Sequence, residues 1–296
     1  LTPRATLLLM LAANAPDIDV VSRVGGSAAY LYWHRHFTHS LVAVPALAAV
    51  VAGVLHLATR RRVPFARAWL AALAGVASHP LLDLTNMYGI RLGLPFTDHW
   101  FRLDITSVID LWIWAVLLGA AFGPMIGRLV SEEMGARRGS GRGWAWAALL
   151  FLLIYSAGRF VLHAHAAATL ETRLYQGVPA ARVAALPDAV NPLRWRGLAE
   201  TEAFYAAGEV DLASEFDPRS FSIIHKPAET PLMARAREAP GVREFLVFAQ
   251  YPLWSEEPAP GGVRVSVRDL RFGFVAAAEF DAAGRMVGSG FSFGGK

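Results

Sequence analysis

Four long apolar runs, at residues 37–58, 65–85, 105–128 and 143–166, dominate the first half of this 296-residue chain. Each approaches the roughly 20 residues with which a helix crosses a hydrocarbon core. A shorter run at 5–15 precedes them and is closed by Pro16, which disfavours helical continuation. Arg4, that apolar core and Ala13-Asn14-Ala15 imitate a secretory signal peptide and its cleavage site. Proline directly after the cleavage point and a first residue other than Met oppose this. The run is therefore expected to be a true helix of a longer membrane region that extends upstream of Leu1.

Composition agrees with such a chain. Apolar residues make up 54% and charged residues only 18%, with a mean hydropathy of +0.36, which excludes a disordered or mainly solvated polypeptide. Residues 1–169 carry 14 Lys and Arg against 8 Asp and Glu, and residues 170–296 carry 14 against 16, so the halves net +6 and −2 and imply regions with different solvents. The absence of cysteine excludes disulfides and thiolate chemistry, leaving His and carboxylates as the metal ligands on offer. A pI of about 9.7 does not make this a nucleic-acid binder. Its basic residues fall between apolar runs, as membrane loops do, and form no phosphate-tracking stripe.

Lys and Arg in the short loops set the orientation. Arg60, Arg61, Arg62 and Arg67 follow the first long run, and Arg128, Arg137, Arg138 and Arg142 precede the last, so both loops are expected on the cytoplasmic side. Alternation then sends residues 17–39, 79–110 and everything after 159 to the outer side. All six aspartates of the first half (Asp17, Asp19, Asp83, Asp98, Asp104 and Asp110) fall at that face, while Glu132 and Glu133 lie in an inner loop. Seven of the nine histidines join them, leaving His56 at the inner end and His225 in the second half. Ionisable groups at helix ends within a bundle are costly and mark sites.

Three motifs supply donors. His79-Pro80-Leu81-Leu82-Asp83 stacks His79 and Asp83 on one helix face, about a turn apart, where they grip an ion or satisfy each other by a hydrogen bond. Asp17 and Asp19, read as an extended i, i+2 pair after Pro16, point to one side and share a cation; an Asp-rich turn at a helix end is the plainer alternative. His34, His36 and His39 crowd the entrance to the first long run, with Thr38 and Ser40 placed to cap it. An interfacial aromatic belt accounts for Tyr30, Tyr32 and Trp33 but not for these histidines. A fourth stretch, from Thr85 through Asp104, brings Tyr88, Arg91, Arg102 and Asp104 towards the same mouth, either to grip a phosphate or carboxylate or as ordinary interfacial charges. Arg159, one turn before His163, is expected to face the bundle interior, binding substrate or pairing with an aspartate.

Taken together, Asp17 and Asp19 after proline, His34-Arg35 ahead of Thr38-His39-Ser40, and His79 to Asp83 followed by Tyr88-Gly89 and Asp104 resemble the YdjM-like (LexA-regulated type) family of membrane-bound, predicted metal-dependent hydrolases. The resemblance is close over residues 1–130 and loose beyond. It carries over His34 and His39 but not His36, where the family has a small residue. It also implies a further His in a short segment upstream of Leu1. The HxxxD element is similar to one in phosphoesterases of the zinc phospholipase C type, which suggests phosphoester substrates by analogy.

Beyond about residue 170 alternating segments replace the apolar runs: 195–211, 220–225, 243–253, 263–274 and 275–290. Arg264 to Phe272 alternates with period two, as a half-buried strand does. A four- or five-stranded antiparallel sheet is expected, with helices near 179–186 and 232–238. No catalytic motif stands out there, and His225 is expected to be structural or exposed.

The expected architecture is an α-helical polytopic membrane bundle (1–169) followed by a small α+β, mainly antiparallel β, extracytoplasmic domain (170–296) acting as a cap or substrate-presenting module. The expected function is a metal-dependent hydrolase of the cell membrane with an outward-facing site. Asp17, Asp19, His34, His39, His79 and Asp83 would bind one or two divalent ions, zinc first and manganese second. Asp104 would handle protons, and Arg35, Tyr88, Arg91, Arg102 and Arg159 would hold a lipid or lipid-linked phosphoester, with ester or amide hydrolysis as variants. The alternative is a metal-ion or proton transporter using the same cluster for permeation, though its polar groups crowd at one end. A purely structural anchor leaves the histidines unexplained.

Overall fold

The computed structural model describes residues 4–133 and 141–294, the side chains of 128–133 excepted. Arg137 and Arg138 of the expected inner loop, and the side chains of Arg128, Glu132 and Glu133, lie outside the described residues. In chain order the helices are α1 (Ala5–Asn14), α2 (Ser27–Trp33), α3 (Ala43–Ala58), α4 (Phe65–Thr85), α5 (Leu111–Glu133), α6 (Arg142–Glu171), α7 (Pro231–Arg237) and α8 (Val242–Phe248). The strands are β1 (Leu174–Tyr175), β2 (Val178–Pro179), β3 (Arg182–Pro187), β4 (Arg194–Glu200), β5 (Phe204–Asp211), β6 (Ser222–His225), β7 (Pro252–Ala259), β8 (Gly262–Asp269), β9 (Val275–Asp281) and β10 (Met286–Ser292). Two compact units result, one from Leu1–Leu84, Gly89–Phe101 and His225–Lys296, the other from Thr85–Tyr88 and Arg102–Ile224. Secondary structure changes character near residue 170, as read from the sequence. The compact units nevertheless do not follow that cut, because 225–296 groups with the N-terminal helices.

Among the described residues, α4 and α6 are each long and apolar enough to cross a membrane. Two bent pairs add candidate spans: α1 with the 3-10 helix Pro16–Gly25, bent by 47°, and Ser27–His39 with α3, bent by 83°. Two of the expected runs therefore start their helices late. In the run at 37–58 the chain makes a 3-10 turn at Phe37–His39, and the α-helix begins only at Ala43, where the Ser40 hydroxyl accepts from the Ala43 N–H. In the run at 105–128 the Asp110 carboxylate accepts from the N–H groups of Trp112 and Ile113 and so caps α5. Ile105 and Thr106 instead donate their N–H groups to the Thr85 carbonyl.

The helical core of the first unit is built from small residues at four-residue spacing. Ala48 and Ala52 of α3 and Ala68, Ala72 and Val76 of α4 are buried with Leu8 and Ala12 of α1, the stripe that lets membrane helices approach closely. Gly75 marks the tightest point, where an added Cβ would come within 2.8 Å of the Ala12 Cβ. In the same unit α7 and α8 accompany an antiparallel sheet of order β10-β9-β8-β7. On β8, Val265, Val267 and Asp269 are buried while Arg264 and Arg268 are exposed, the alternation expected there. Asp269 pairs with Arg271, both side chains fully buried, and Arg271 Nη2 also donates to the Phe248 carbonyl at the end of α8.

In the second unit α5 and α6 stand with a sheet of order β3-β4-β5-β6 and the hairpin β1-β2. Phe221 lies against Gly197 and Gly208, where a Cβ would come within 2.7 and 2.2 Å of its ring. The single four- or five-stranded sheet expected from sequence is thus two four-stranded sheets in different units. The helix expected at 179–186 is largely β3: its Ala- and Leu-rich composition favours a helix, but pairing with β4 from Arg182↔Glu200 to Pro187↔Trp195 overrides propensity. The segment 243–253 opens as α8 before β7 begins, whereas the helix expected at 232–238 is present as α7, capped by the Thr230 hydroxyl.

Candidate metal centre

Three separate stretches of the first unit meet at one point. α4 presents His79 and Asp83 on one face, the 3-10 helix Pro16–Gly25 presents Asp17 and Asp19, and the segment after α2 brings His34 and His39. The extended conformation expected for the Asp17–Asp19 pair is corrected: Pro16 opens a 3-10 helix, its fixed φ suiting a first helical position. Asp17 remains 45% exposed while Asp19 is 5% exposed.

The distances are those of a ligand shell. His39 Nε2 lies 3.5 Å from Asp17 Oδ1 and 3.5 Å from Asp83 Oδ2. His79 Nε2 lies 3.4 Å from the same two oxygens. Metal–ligand bonds of about 2.0–2.2 Å in a tetrahedral shell separate neighbouring ligand atoms by about 3.4 Å, the length of these four His–Asp contacts. His39 is fully buried, and its Nε2 has no hydrogen-bond partner among the described residues. A buried nitrogen facing two carboxylate oxygens without a hydrogen bond is poorly satisfied and suits a cation between them. Donor atoms of Asp17, His39 and His79 lie within 4.8 Å of one another, and so do those of Asp17, Asp19 and His34.

Outer contacts fix these rings. His79 Nδ1 is 2.7 Å from the Ala13 carbonyl. A carbonyl only accepts, so Nδ1 carries the hydrogen and Nε2 of the neutral ring keeps its lone pair. The Gly75–Ala12 approach, one turn earlier on α4, is what brings that carbonyl within reach. His39 Nδ1 lies 3.3 Å from Asp19 Oδ2, which also accepts from the Arg35 N–H at 2.9 Å and the Thr38 hydroxyl at 3.1 Å. Thr38 therefore serves Asp19 and is not the helix cap expected from sequence. Asp19 Oδ1 faces His34 Nδ1 at 3.1 Å. The His34 ring is stacked on Tyr30, centroids 4.6 Å apart and 18° from parallel.

Arg35 is the cation inside this cluster. Its Nη2 is 2.8 Å from Asp83 Oδ1, with side chains 10% and 11% exposed, and it sits in the left-handed backbone region at φ 57°. With three carboxylates against one guanidinium, the cluster carries an excess of two negative charges when its imidazoles are neutral. Arg91 also belongs to this unit, lying over the Trp100 and Tyr32 rings at 5.3 and 6.0 Å. The remaining expected residues are in the second unit. There Arg102 is ion-paired with Asp104, and the Tyr88 N–H donates to the Asn86 side chain. Buried Arg159 donates from Nε to the Ile105 carbonyl and from Nη1 to the Pro192 carbonyl. His36 is packed on Tyr32 and Trp33 and belongs to neither ligand group. Nothing in the sequence marks the Ala13 carbonyl as a site group, whereas Tyr30 stands four residues before His34, a spacing visible in the sequence.

An open cavity of 430 Å³ adjoins the cluster, lined by Ile18, Val21, Trp33 and Phe37 beside Asp19 and Thr38.

The chain is similar to the uncharacterized protein YfhP of Bacillus subtilis (strain 168), 25% identical over 275 residues that cover 90% of this chain and 77% of the relative. No solved structure matches it. Residues 2–166, which contain the whole His/Asp cluster, match the YdjM inner membrane protein family, and the chain belongs to that family.

Proposed function

We propose that this membrane protein is a metal-dependent hydrolase acting on a lipid or lipid-linked phosphoester. The observation that carries the reading is the set of four 3.4–3.5 Å contacts joining His39 Nε2 and His79 Nε2 to Asp17 and Asp83. Two imidazoles and two carboxylates at such edges suit zinc first and manganese second. A divalent ion held there by Asp17, His39, His79 and Asp83 would supply a nucleophilic water at neutral pH and a Lewis acid for a phosphoryl oxygen. Asp17, the exposed ligand, borders the side from which substrate arrives. Ile18, Val21, Trp33 and Phe37 give a hydrocarbon chain an apolar bed beside Asp19. We assign anion contacts to Arg35 and Arg91, which lie in the same unit as the cluster.

An outward-facing site follows from charge placement: Arg60, Arg61, Arg62 and Arg67 lie where α4 begins, and the cluster uses its other end. By this reading the C-terminal segment is extracytoplasmic. The transporter reading has less support, because the buried core of α1, α3 and α4 running away from the cluster consists of Ala, Leu and Val side chains.

The test is metal content together with turnover of generic phosphodiesters and lipid phosphoesters by the full-length protein, His79→Ala and Arg91→Met. Wild type is expected to hold metal and turn over substrate. His79→Ala should lose both, and Arg91→Met should lose turnover while keeping its metal. Metal-free wild type would sink the reading, and bound metal with ion flux in liposomes but no hydrolysis would replace it by the transporter.

A further inference from the structure

We propose that the cluster is a two-ion centre bridged by the Asp17 carboxylate: one ion with His39, His79 and Asp83, the other with Asp19 and His34. The inference rests on the metal reading above and adds the number of ions and the partition of the ligands.

Three observations separate the second site from the first. His39, His79, Asp17 and Asp83 already offer an ion four donor atoms, each nitrogen 3.4–3.5 Å from both oxygens, so a further position on that ion goes to water and not to Asp19 or His34. Those two residues nonetheless form their own donor group, and the residue common to both groups is Asp17. A carboxylate has two oxygens and can serve both.

The second group is also held in place. Asp19 Oδ2 is engaged by the Arg35 N–H, the Thr38 hydroxyl and the neighbouring His39 Nδ1, which turns Oδ1 towards His34. Tyr30 stacks flat on the His34 ring, and Phe293 meets Tyr30 edge-on at 5.7 Å. A histidine needed only to fill space does not require so fixed an orientation. Charge points the same way. Three carboxylates and Arg35 leave two negative charges, which one divalent ion only cancels. A second ion makes the centre net positive, as an anionic phosphoester requires.

The experiment uses the full-length protein in detergent, stripped with a chelator and reloaded with zinc or manganese alone. Wild type is expected to retain two ions per chain by elemental analysis and, loaded with manganese, to give the exchange-coupled electron paramagnetic resonance spectrum of a paired centre. His34→Ala should fall to one ion and give the simple spectrum of an isolated ion, and Asp17→Asn should lose the coupling. A wild type saturating at one ion, or a His34→Ala protein that keeps two coupled ions, overturns the inference and leaves the hydrolase reading standing. Wild type without metal overturns both. The wild-type stoichiometry and spectrum decide the matter even where a variant does not fold.

Discussion

Replacing Arg35 by Met removes the guanidinium that pairs with Asp83 beside Asp17 and Asp19, and it keeps the backbone N–H that Asp19 accepts. The Arg35–Asp83 pair spans 2.8 Å with side chains 10% and 11% exposed, so it counts as buried. Removing one partner of a buried pair costs about 3–5 kcal/mol, an upper bound here because His39 and His79 Nε2 also stand 3.5 and 3.4 Å from Asp83 Oδ2. At roughly 2–4 °C per kcal/mol for chains of 150–250 residues, the metal-free variant should melt below metal-free wild type, by at most about 20 °C. Zinc changes the comparison. A divalent ion at His39 and His79 compensates Asp83 directly, so the variant should bind it more tightly and gain more on loading. Wild type at a free zinc concentration 100 times its dissociation constant gains about 2.7 kcal/mol, and R35M should exceed that gain. Thermal melts of both proteins in detergent, with chelator and with zinc, measure all four states. An R35M protein that melts with wild type in chelator, or that loses as much with zinc as without it, refutes the charge reasoning. The second outcome would make Arg35 a packing residue.

Other perturbations test the scaffold. Thr38→Val removes a donor from Asp19 Oδ2, and a 10–100-fold loss of zinc affinity is expected by titration calorimetry, the usual effect of an outer-shell contact; unchanged affinity would mean that Asp19 stays in place without it. Gly75→Leu drives a side chain into Ala12, where a Cβ already comes within 2.8 Å. It should cost about 1–3 kcal/mol of stability and weaken zinc binding by displacing the Ala13 carbonyl from His79, with Gly75→Ala milder on both counts. Arg271→Met leaves Asp269 buried without its partner and should cost about 3–5 kcal/mol. Much of that should return in the double variant with Asp269→Leu, and a double variant as unstable as the single one would show that the hydrogen bond to the Phe248 carbonyl matters more than charge.

Much of the candidate site was legible because its chemistry is local. His79 and Asp83 are four apart on a helix, and His34, His39 and the two aspartates stand at the ends of apolar runs, where ionisable groups lack a packing reason. What could not be read was conformation set by non-local contacts. Asp17 and Asp19 after a proline fit an extended strand as well as a 3-10 helix. Arg35 shows no sign in the sequence of its left-handed backbone, although that turn lets its N–H reach Asp19 while its guanidinium reaches Asp83. The apolar runs at 37–58 and 105–128 hid helix starts governed by Ser40 and Asp110. Period-two alternation found β8, but the Ala-rich β3 reads as helix until its partner β4 is known.

The C-terminal segment shows most clearly what a pass along the chain misses. By composition it is a separate α+β domain, and none of its residues looks catalytic. Yet residues 225–296 belong to the same compact unit as the His/Asp cluster. Phe293 meets Tyr30, Tyr30 lies flat on His34, and Phe248 packs on Trp100, whose face carries Arg91. The family match ends at residue 166, whereas the similarity to YfhP covers 90% of the chain and so runs well past it. A cap laid over a finished site would be free to drift away from the ligands in structure. A segment whose aromatic ring backs the stack on a histidine of the cluster is instead part of the wall of the candidate site, and its contribution is to hold a ring in place.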